Sequence, residues 1–162
     1  MATWKHPNKG DTSFSAICAF IRDKVNQDNG KHTFRIYLGT DSQSHGNSGV
    51  TRYVTALILH TVGKGANFFI KKMDEPLAPS LRQKIWRESV LTFEQAIELD
   101  HELSDLFNLS NVEFQIHVDC GMNGPTKDLI KEVTSMFISA GYDVVTKPDS
   151  VAASSAADRF SK

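Results

Sequence analysis

The sequence has few cysteines and no excess of charge of either sign. Its two cysteines, Cys18 and Cys120, are too few for a disulfide framework and too widely separated for a CxxC zinc site, so both are expected to be reduced, packed thiols. Lys and Arg total 18 against 19 Asp and Glu. This balance argues against a protein that coats nucleic acid through bulk electrostatics, and it leaves room only for a local basic patch.

Long apolar segments are also missing. The longest apolar runs, such as residues 16–21, fall far short of the roughly 20 residues that a membrane-spanning helix needs. The N-terminal residues Met-Ala-Thr-Trp-Lys-His-Pro are polar where a secretory signal would need an apolar core. We therefore expect a cytoplasmic protein with no membrane segment.

The chain nevertheless has the length and composition of one globular domain. It contains 162 residues, of which 40% are hydrophobic and 23% charged. Residues 1–33 are predicted to form an N-terminal extension and an amphipathic helix, because Phe14, Ile17 and Val25 recur at helical spacing. Residues 34–162 are predicted to form a single globular unit.

Alternating and helical patterns predict an α/β fold for this unit. Phe34, Ile36 and Leu38 alternate with more polar residues in a first strand that ends at Asp41. Ser80 is a predicted N-cap for a long helix. Further strands are predicted at 50–62, 66–73, 112–118 and 142–146, and further helices at 125–140 and 150–160. Short turns followed by helical crossovers predict a five-stranded mixed sheet flanked by helices, with three antiparallel strands and then parallel additions.

Two acidic residues occupy equivalent places in this pattern. Asp41 and Asp119 each end a predicted strand and are followed by a Gly-containing turn. If the two strands are parallel neighbours, the carboxylates emerge side by side at a sheet edge where α/β proteins bind ligands. Adjacent carboxylates repel, so such a pair either raises a pKa or binds a cation, of which Mg²⁺ is the obvious one. Alternatively, each Asp only shapes the turn that follows it.

The long helix offers a third acid. Glu88 lies at the edge of the predicted apolar face, so it could reach the sheet edge, whereas Glu94 and Glu98 point to the opposite, solvated side. The alternative is that Glu88 simply pairs with Arg87 or Lys84. Position on the helix does not decide between these roles.

Three motifs resemble one known family. They are residues 36–43 (IYLGTDSQ), residues 118–124 (VDCGMNG) and residues 147–158 (KPDSVAASSAAD). Together they resemble the YkuK-type family of ribonuclease H-like nucleases, over roughly residues 34–162. The resemblance implies the ribonuclease H-like fold and a carboxylate cluster drawn from the first strand, the first long helix, the fourth strand and the last helix.

The resemblance also implies a chemistry. A metal-dependent nuclease would hydrolyse RNA, DNA or a hybrid with two Mg²⁺ or Mn²⁺ ions about 3.5 to 4 Å apart. The implied catalytic and metal-binding residues are Asp41, Glu88, Asp119 and Asp158, with Asp149 in reserve. Residues that could contact substrate are Gln43, His45, Asn123 and Lys147.

Two other functions compete with the nuclease. The same fold could serve as a non-catalytic module that binds nucleic acid or a protein partner, with the acids serving structure or one weak metal ion. An actin-like ATPase is suggested by the Asp-x-Gly turn at Asp119, but that architecture requires two such domains and the chain is too short for them.

Overall fold

The structure, a computed structural model, describes residues 3–118 and 126–146. The described part contains seven strands and three helices. They are β1 (Trp4–His6), β2 (Gly10–Thr12), α1 (Phe14–Asp28), β3 (Phe34–His45), β4 (Val50–Thr61), β5 (Gly65–Pro76), α2 (Leu81–Phe107), β6 (Val112–Val118), α3 (Lys127–Ser139) and β7 (Asp143–Thr146). The predicted helix at 150–160 lies outside the described residues.

All seven strands belong to one mixed sheet, in the order β2-β1-β5-β4-β3-β6-β7. Strands β3, β4 and β5 pair antiparallel, whereas β6 is parallel to β3 and β7 is parallel to β6. The predicted α/β class, with three antiparallel strands and then parallel additions, is confirmed. No helix among the described residues is long and apolar enough to span a membrane.

The predicted number of five strands is wrong, because the N-terminal residues add β1 and β2. These strands are too short and polar to show a period-2 pattern. Gly10, with φ of 79°, follows the turn that joins them, and Trp4 pairs with Lys71 at the edge of β5. Only 5% of the Trp4 surface is exposed. Burial of this one side chain in the main core attaches the hairpin, and that contact is not visible in local sequence.

Helices α1 and α2 each begin at a capping serine. The Ser13 hydroxyl accepts a hydrogen bond from the Ala16 amide at the start of α1, and the Ser80 hydroxyl accepts one from Gln83 at the start of α2. Helix α2 has 27 residues and is kinked at Leu103, where φ is −120°. The predicted N-terminal helix and the N-cap at Ser80 are therefore confirmed.

Alternation along the strands separates two apolar clusters. The larger one lies between one face of the sheet and the three helices, and includes Ile36, Leu38, Leu99 and Phe137. The smaller one lies on the opposite face. Its buried members are all strand residues: Tyr37, Val54, Ala56, Ile58 and Ile70.

Strand β3 is longer than predicted. It continues past Asp41 to His45, and residues 41–45 pair with residues 50–54 of β4. The prediction that the first strand ends at Asp41, with a turn from residue 42, is therefore wrong. Ser42, Gln43 and Ser44 have low strand propensity, but the antiparallel ladder uses main-chain groups and continues without apolar side chains. Asp41 thus lies inside a strand.

Candidate active site

Strand β3 and helix α2 are joined by two polar contacts one helical turn apart. The Ser42 hydroxyl donates a hydrogen bond to Glu88 Oε2 at 2.5 Å, and the hydroxyl oxygens of Thr40 and Thr92 are 2.8 Å apart. Side chains two residues apart on a strand share a face, as do side chains four residues apart on a helix. The two contacts therefore fix both the position and the rotation of α2 against β3.

Ser42 contacts both acids predicted for this part of the site. Its backbone N–H donates to Asp41 Oδ1 at 2.8 Å, while its hydroxyl binds Glu88. Glu88 is 9% exposed and Asp41 is half-buried. The structure thus brings Glu88 to the segment of β3 that carries Asp41, although the two residues are 47 positions apart in the sequence. The Asp41 side chain leaves β3 on the other face, because Asp41 pairs with Val54 of the smaller cluster.

A buried cluster of threonines supports this junction. Thr40 Oγ1 lies 2.9 Å from Thr55 Oγ1 on β4, and the Thr92 hydroxyl donates to the Glu88 carbonyl at 3.0 Å. All three threonines are buried, and each hydroxyl has a hydrogen-bond partner. Because buried hydroxyls are costly to leave unpaired, this cluster favours one arrangement of β3, β4 and α2.

β3 and β6 are parallel neighbours beside the junction, which is the condition that the sequence analysis set for Asp41 and Asp119 to emerge at one edge. β6 pairs with β3 up to Leu38 and Ile116. A small cleft follows at this end, between β3, α2, β6 and α3, and its lining includes Thr40, Glu88, Thr92, His117, Val118 and Phe137. Thr40 precedes Asp41 in the sequence, and Val118 precedes Asp119. The remaining predicted site residues, Asp119, Asn123, Lys147, Asp149 and Asp158, lie outside the described residues.

The alternative role of Glu88 was a salt bridge with Arg87 or Lys84. Arg87 forms an ion pair with Glu75, with Nη2 and Oε2 2.6 Å apart, while Glu88 is turned inward to Ser42. Glu94 and Glu98 are exposed, as predicted. Glu88 is therefore the glutamate on this part of α2 that reaches β3.

Gln43 and His45 lie further along β3, beyond Asp41. Gln43 is half-buried and pairs across the ladder with Arg52, whose guanidinium binds Asp74 at 2.8 and 2.9 Å. These hydrogen bonds lower the pKa of Asp74. His45 Nε2 is buried and has no hydrogen-bond partner within the described part of the chain. Both residues lie on the hairpin that extends the strand of Asp41.

Several residues of the site escaped the sequence analysis. His117 is buried, lines the cleft, and has its ring 4.5 Å from that of Tyr37. Ser42, Thr55 and Thr92 were also missed. The polar run Thr40-Asp41-Ser42 next to an apolar strand was a usable signal, because polar residues at a buried position must find partners. The helix partner Thr92 carried no such signal.

The oxygen atoms near the junction are of the type that a hard divalent cation binds. Glu88 and the hydroxyls around it lie at the junction, and Asp41 adds a carboxylate on the same segment of β3; Mg²⁺ and Mn²⁺ prefer such oxygen ligands. Two carboxylates alone do not complete the ligand set of a metal ion. Within residues 3–118 and 126–146, no three His, Cys, Asp or Glu side chains are grouped so that they could hold a metal ion. The described residues fit part of such a site.

Comparison with known proteins agrees with the fold. The family model described as ribonuclease H-like matches residues 14–162, which include α1 but not the β1-β2 hairpin. A protein of Bacillus subtilis (strain 168), named uncharacterized protein YkuK, is 38% identical over 143 residues, covering 82% of this chain and 81% of the relative. No solved structure gave a significant match. The chain belongs to the YkuK-type family of ribonuclease H-like proteins.

Proposed function

We propose that the protein is a Mg²⁺- or Mn²⁺-dependent nuclease that hydrolyses phosphodiester bonds of nucleic acid. Membership of the ribonuclease H-like family supports a function connected with nucleic acid. The observation that carries the proposal is the hydrogen bond from Ser42 to Glu88, by which the buried carboxylate of α2 contacts the segment of β3 that includes Asp41, beside the end of β6.

Asp41 and Glu88, with Asp119 and Asp158, would hold the ions in this proposal. Bound divalent ions would activate a water molecule and stabilise the leaving oxygen. The protein's own contribution is to hold acceptor oxygens in place. Glu88 is largely removed from water, which disfavours its charge unless a cation or hydrogen-bond donors compensate. Ser42 supplies one donor, and the Thr40-Thr92 contact prevents α2 from turning away.

The test compares three variants with the wild-type protein. Asp41→Asn and Glu88→Gln each remove a charge but keep an oxygen that can accept from Ser42. Glu94→Gln is the matched control, since it removes an exposed glutamate from the same helix. Each protein is titrated with Mg²⁺ and Mn²⁺ by calorimetry and incubated with labelled RNA, DNA, hybrid and branched substrates.

We expect metal binding and cleavage in the wild-type protein and in Glu94→Gln, and loss of both in Asp41→Asn and Glu88→Gln with unchanged thermal stability in metal-free buffer. Cleavage that survives in Asp41→Asn would refute the proposal. Nucleic-acid binding without metal binding or turnover, unaffected by either substitution, would instead identify a non-catalytic binding module.

A further inference from the structure

Large apolar side chains are exposed at the beginning of α2. Leu77, just before the helix, is 44% exposed, Leu81 is 57% exposed and Trp86 is 44% exposed. Ile85, next to Trp86, lines the cleft that contains Glu88. We call Arg82 and Trp86, which lie four residues apart on one side of the helix, the Trp86 surface. Lys84 lies on another side of the helix, one turn before Glu88.

The first two turns of α2 are basic in a chain whose net charge is −1. Residues 81–87 (LRQKIWR) contain three cations and no acid, whereas the rest of α2 from Glu88 onward is rich in acids. Arg87 is paired with Glu75. Arg82 is 3.9 Å from Glu132, but both side chains are mostly exposed, so this contact is weak. Lys84 forms no ion pair with any residue that the structure describes.

The two tryptophans of the chain differ sharply. Trp4 is buried, lies 6.3 Å from the Phe14 ring and is covered by Lys71 at 5.2 Å. Trp86 makes no ring contact with another described residue. An exposed indole one helical turn from Arg82 offers the two groups that single-stranded nucleic acid uses, a flat surface for a base and positive charge for a phosphate.

We propose that the Trp86 surface binds an unpaired, single-stranded segment of nucleic acid, with a base stacked on Trp86 and a phosphate near Arg82. The identity of this ligand rests on the proposed nuclease function. Exposed Trp and Arg also occur at protein interfaces. Positive charge at the start of α2 favours a polyanion here, because Lys84, one turn before Glu88, compensates the repulsion that the acids would exert on an approaching phosphate.

Tryptophan fluorescence tests this directly, because the chain has only two tryptophans. A Trp4→Phe variant leaves Trp86 as the sole reporter. It is titrated, without divalent metal, with oligothymidine, with an abasic deoxyribose-phosphate oligomer of the same length, and with a duplex of the same length. Anisotropy of a labelled oligothymidine measures affinity in proteins that retain Trp4, so the test does not depend on the folding of Trp4→Phe.

We expect oligothymidine to quench Trp86 and the abasic oligomer and duplex to quench it little. Trp86→Ala should weaken oligothymidine binding about tenfold, within the range for loss of one stacked base. Trp86→Phe should retain most of the affinity. Ile97→Ala, which removes another exposed apolar side chain of α2, is the matched control and should bind like the wild-type protein.

Equal affinity of Trp86→Ala and the wild-type protein, or equal quenching by all three ligands, would overturn the inference. So would self-association that is lost in Trp86→Ala, since the surface would then be an interface between copies of the chain. Failure of the proposed nuclease function would give different results from failure of this inference. Trp86-dependent binding in a protein that cleaves nothing would refute the nuclease alone, and cleavage indifferent to Trp86 would refute only the inference.

Discussion

The hydroxyl of Ser42 binds the carboxylate of Glu88, and this bond joins the strand that carries Asp41 to the long helix. Glu88 is largely buried, so little water could replace the Ser42 hydroxyl as its hydrogen-bond donor. Because Asp41 accepts from the same serine through its backbone N–H, the position of both acids depends on one residue.

Ser42→Ala tests this dependence. The substitution leaves the backbone bond to Asp41 and removes the donor to Glu88. We expect the free energy of unfolding, measured by urea denaturation, to fall by about 1.5 to 3 kcal/mol, the usual contribution of a hydrogen bond to a charged group. Ser48→Ala is the control, since the Ser48 hydroxyl bonds to a backbone carbonyl in an exposed turn. Equal stability of the two variants would contradict the expectation.

The threonine cluster predicts that Thr40→Val destabilises the protein more than Thr92→Val. Thr40 lies between Thr55 and Thr92, so Thr40→Val leaves a buried hydroxyl on each side. Thr92→Val leaves Thr40 with Thr55 as its remaining hydroxyl partner. We expect Thr92→Val to lower the free energy of unfolding by about 1 kcal/mol and Thr40→Val by roughly 1 to 3 kcal/mol. Urea denaturation of both variants and of the double variant measures the order, and a smaller effect for Thr40→Val would contradict it.

Burial of Cys18 predicts a loss of stability at high pH. Burial, with a smaller contribution from Glu102, raises the pKa of the Cys18 thiol from 9.0 to about 11. Between these values the folded protein keeps a proton that the unfolded chain releases. The free energy of unfolding should therefore fall as the pH rises from about 9 to about 11, by about 2 to 3 kcal/mol from this thiol.

The comparison with Cys18→Ala isolates that contribution, because other titrating groups are common to both proteins. We expect the wild-type protein to lose its stability advantage over Cys18→Ala progressively across this pH range, as followed by urea denaturation. An advantage that stays constant with pH would show that the thiol does not titrate in this way.

The two tryptophans allow a matched test of the N-terminal hairpin. Trp4 is the side chain that buries β1 in the core, whereas Trp86 is exposed. We expect Trp4→Ala to lower the free energy of unfolding by about 3 to 5 kcal/mol, as for other buried aromatic residues. Trp86→Ala should change it by only about 0.5 kcal/mol. Similar losses in thermal or urea denaturation would show that the hairpin is not attached through Trp4.

The sequence predicted those parts of the fold that depend on local pattern. The apolar spacing of residues 14–25, the N-cap Ser80 and the alternation in 112–118 correctly located α1, α2 and β6. The parallel additions to the sheet, predicted from the helical crossovers, are present as β6 and β7. The elements follow from hydrogen bonding and apolar periodicity within single segments, and the parallel direction follows from the crossovers that join them.

What depends on distant contacts was not predicted. The hairpin β1-β2 is held by the insertion of Trp4 into a core built from other elements. The outer half of β3 pairs because β4 provides a main-chain partner, although its side chains are polar. The contact of Ser42 with Glu88 requires the register of α2 on the sheet, which is set by the packing of many apolar residues. Position on the helix wheel suggested Glu88 but could not identify its partner.

The kink at Leu103 divides α2 into two segments that contact different parts of the fold. The long segment carries Glu88 and Thr92 and is fastened to β3, whereas the short last turn is bound to α1, where Arg22 donates to the Glu102 carbonyl at 2.7 Å and pairs with Asp105. Non-helical backbone at Leu103 lets the last turn follow α1 without rotating the segment before it. A shift of α1 can therefore be followed by the last turn of α2 while the distance between Glu88 and β3 stays constant.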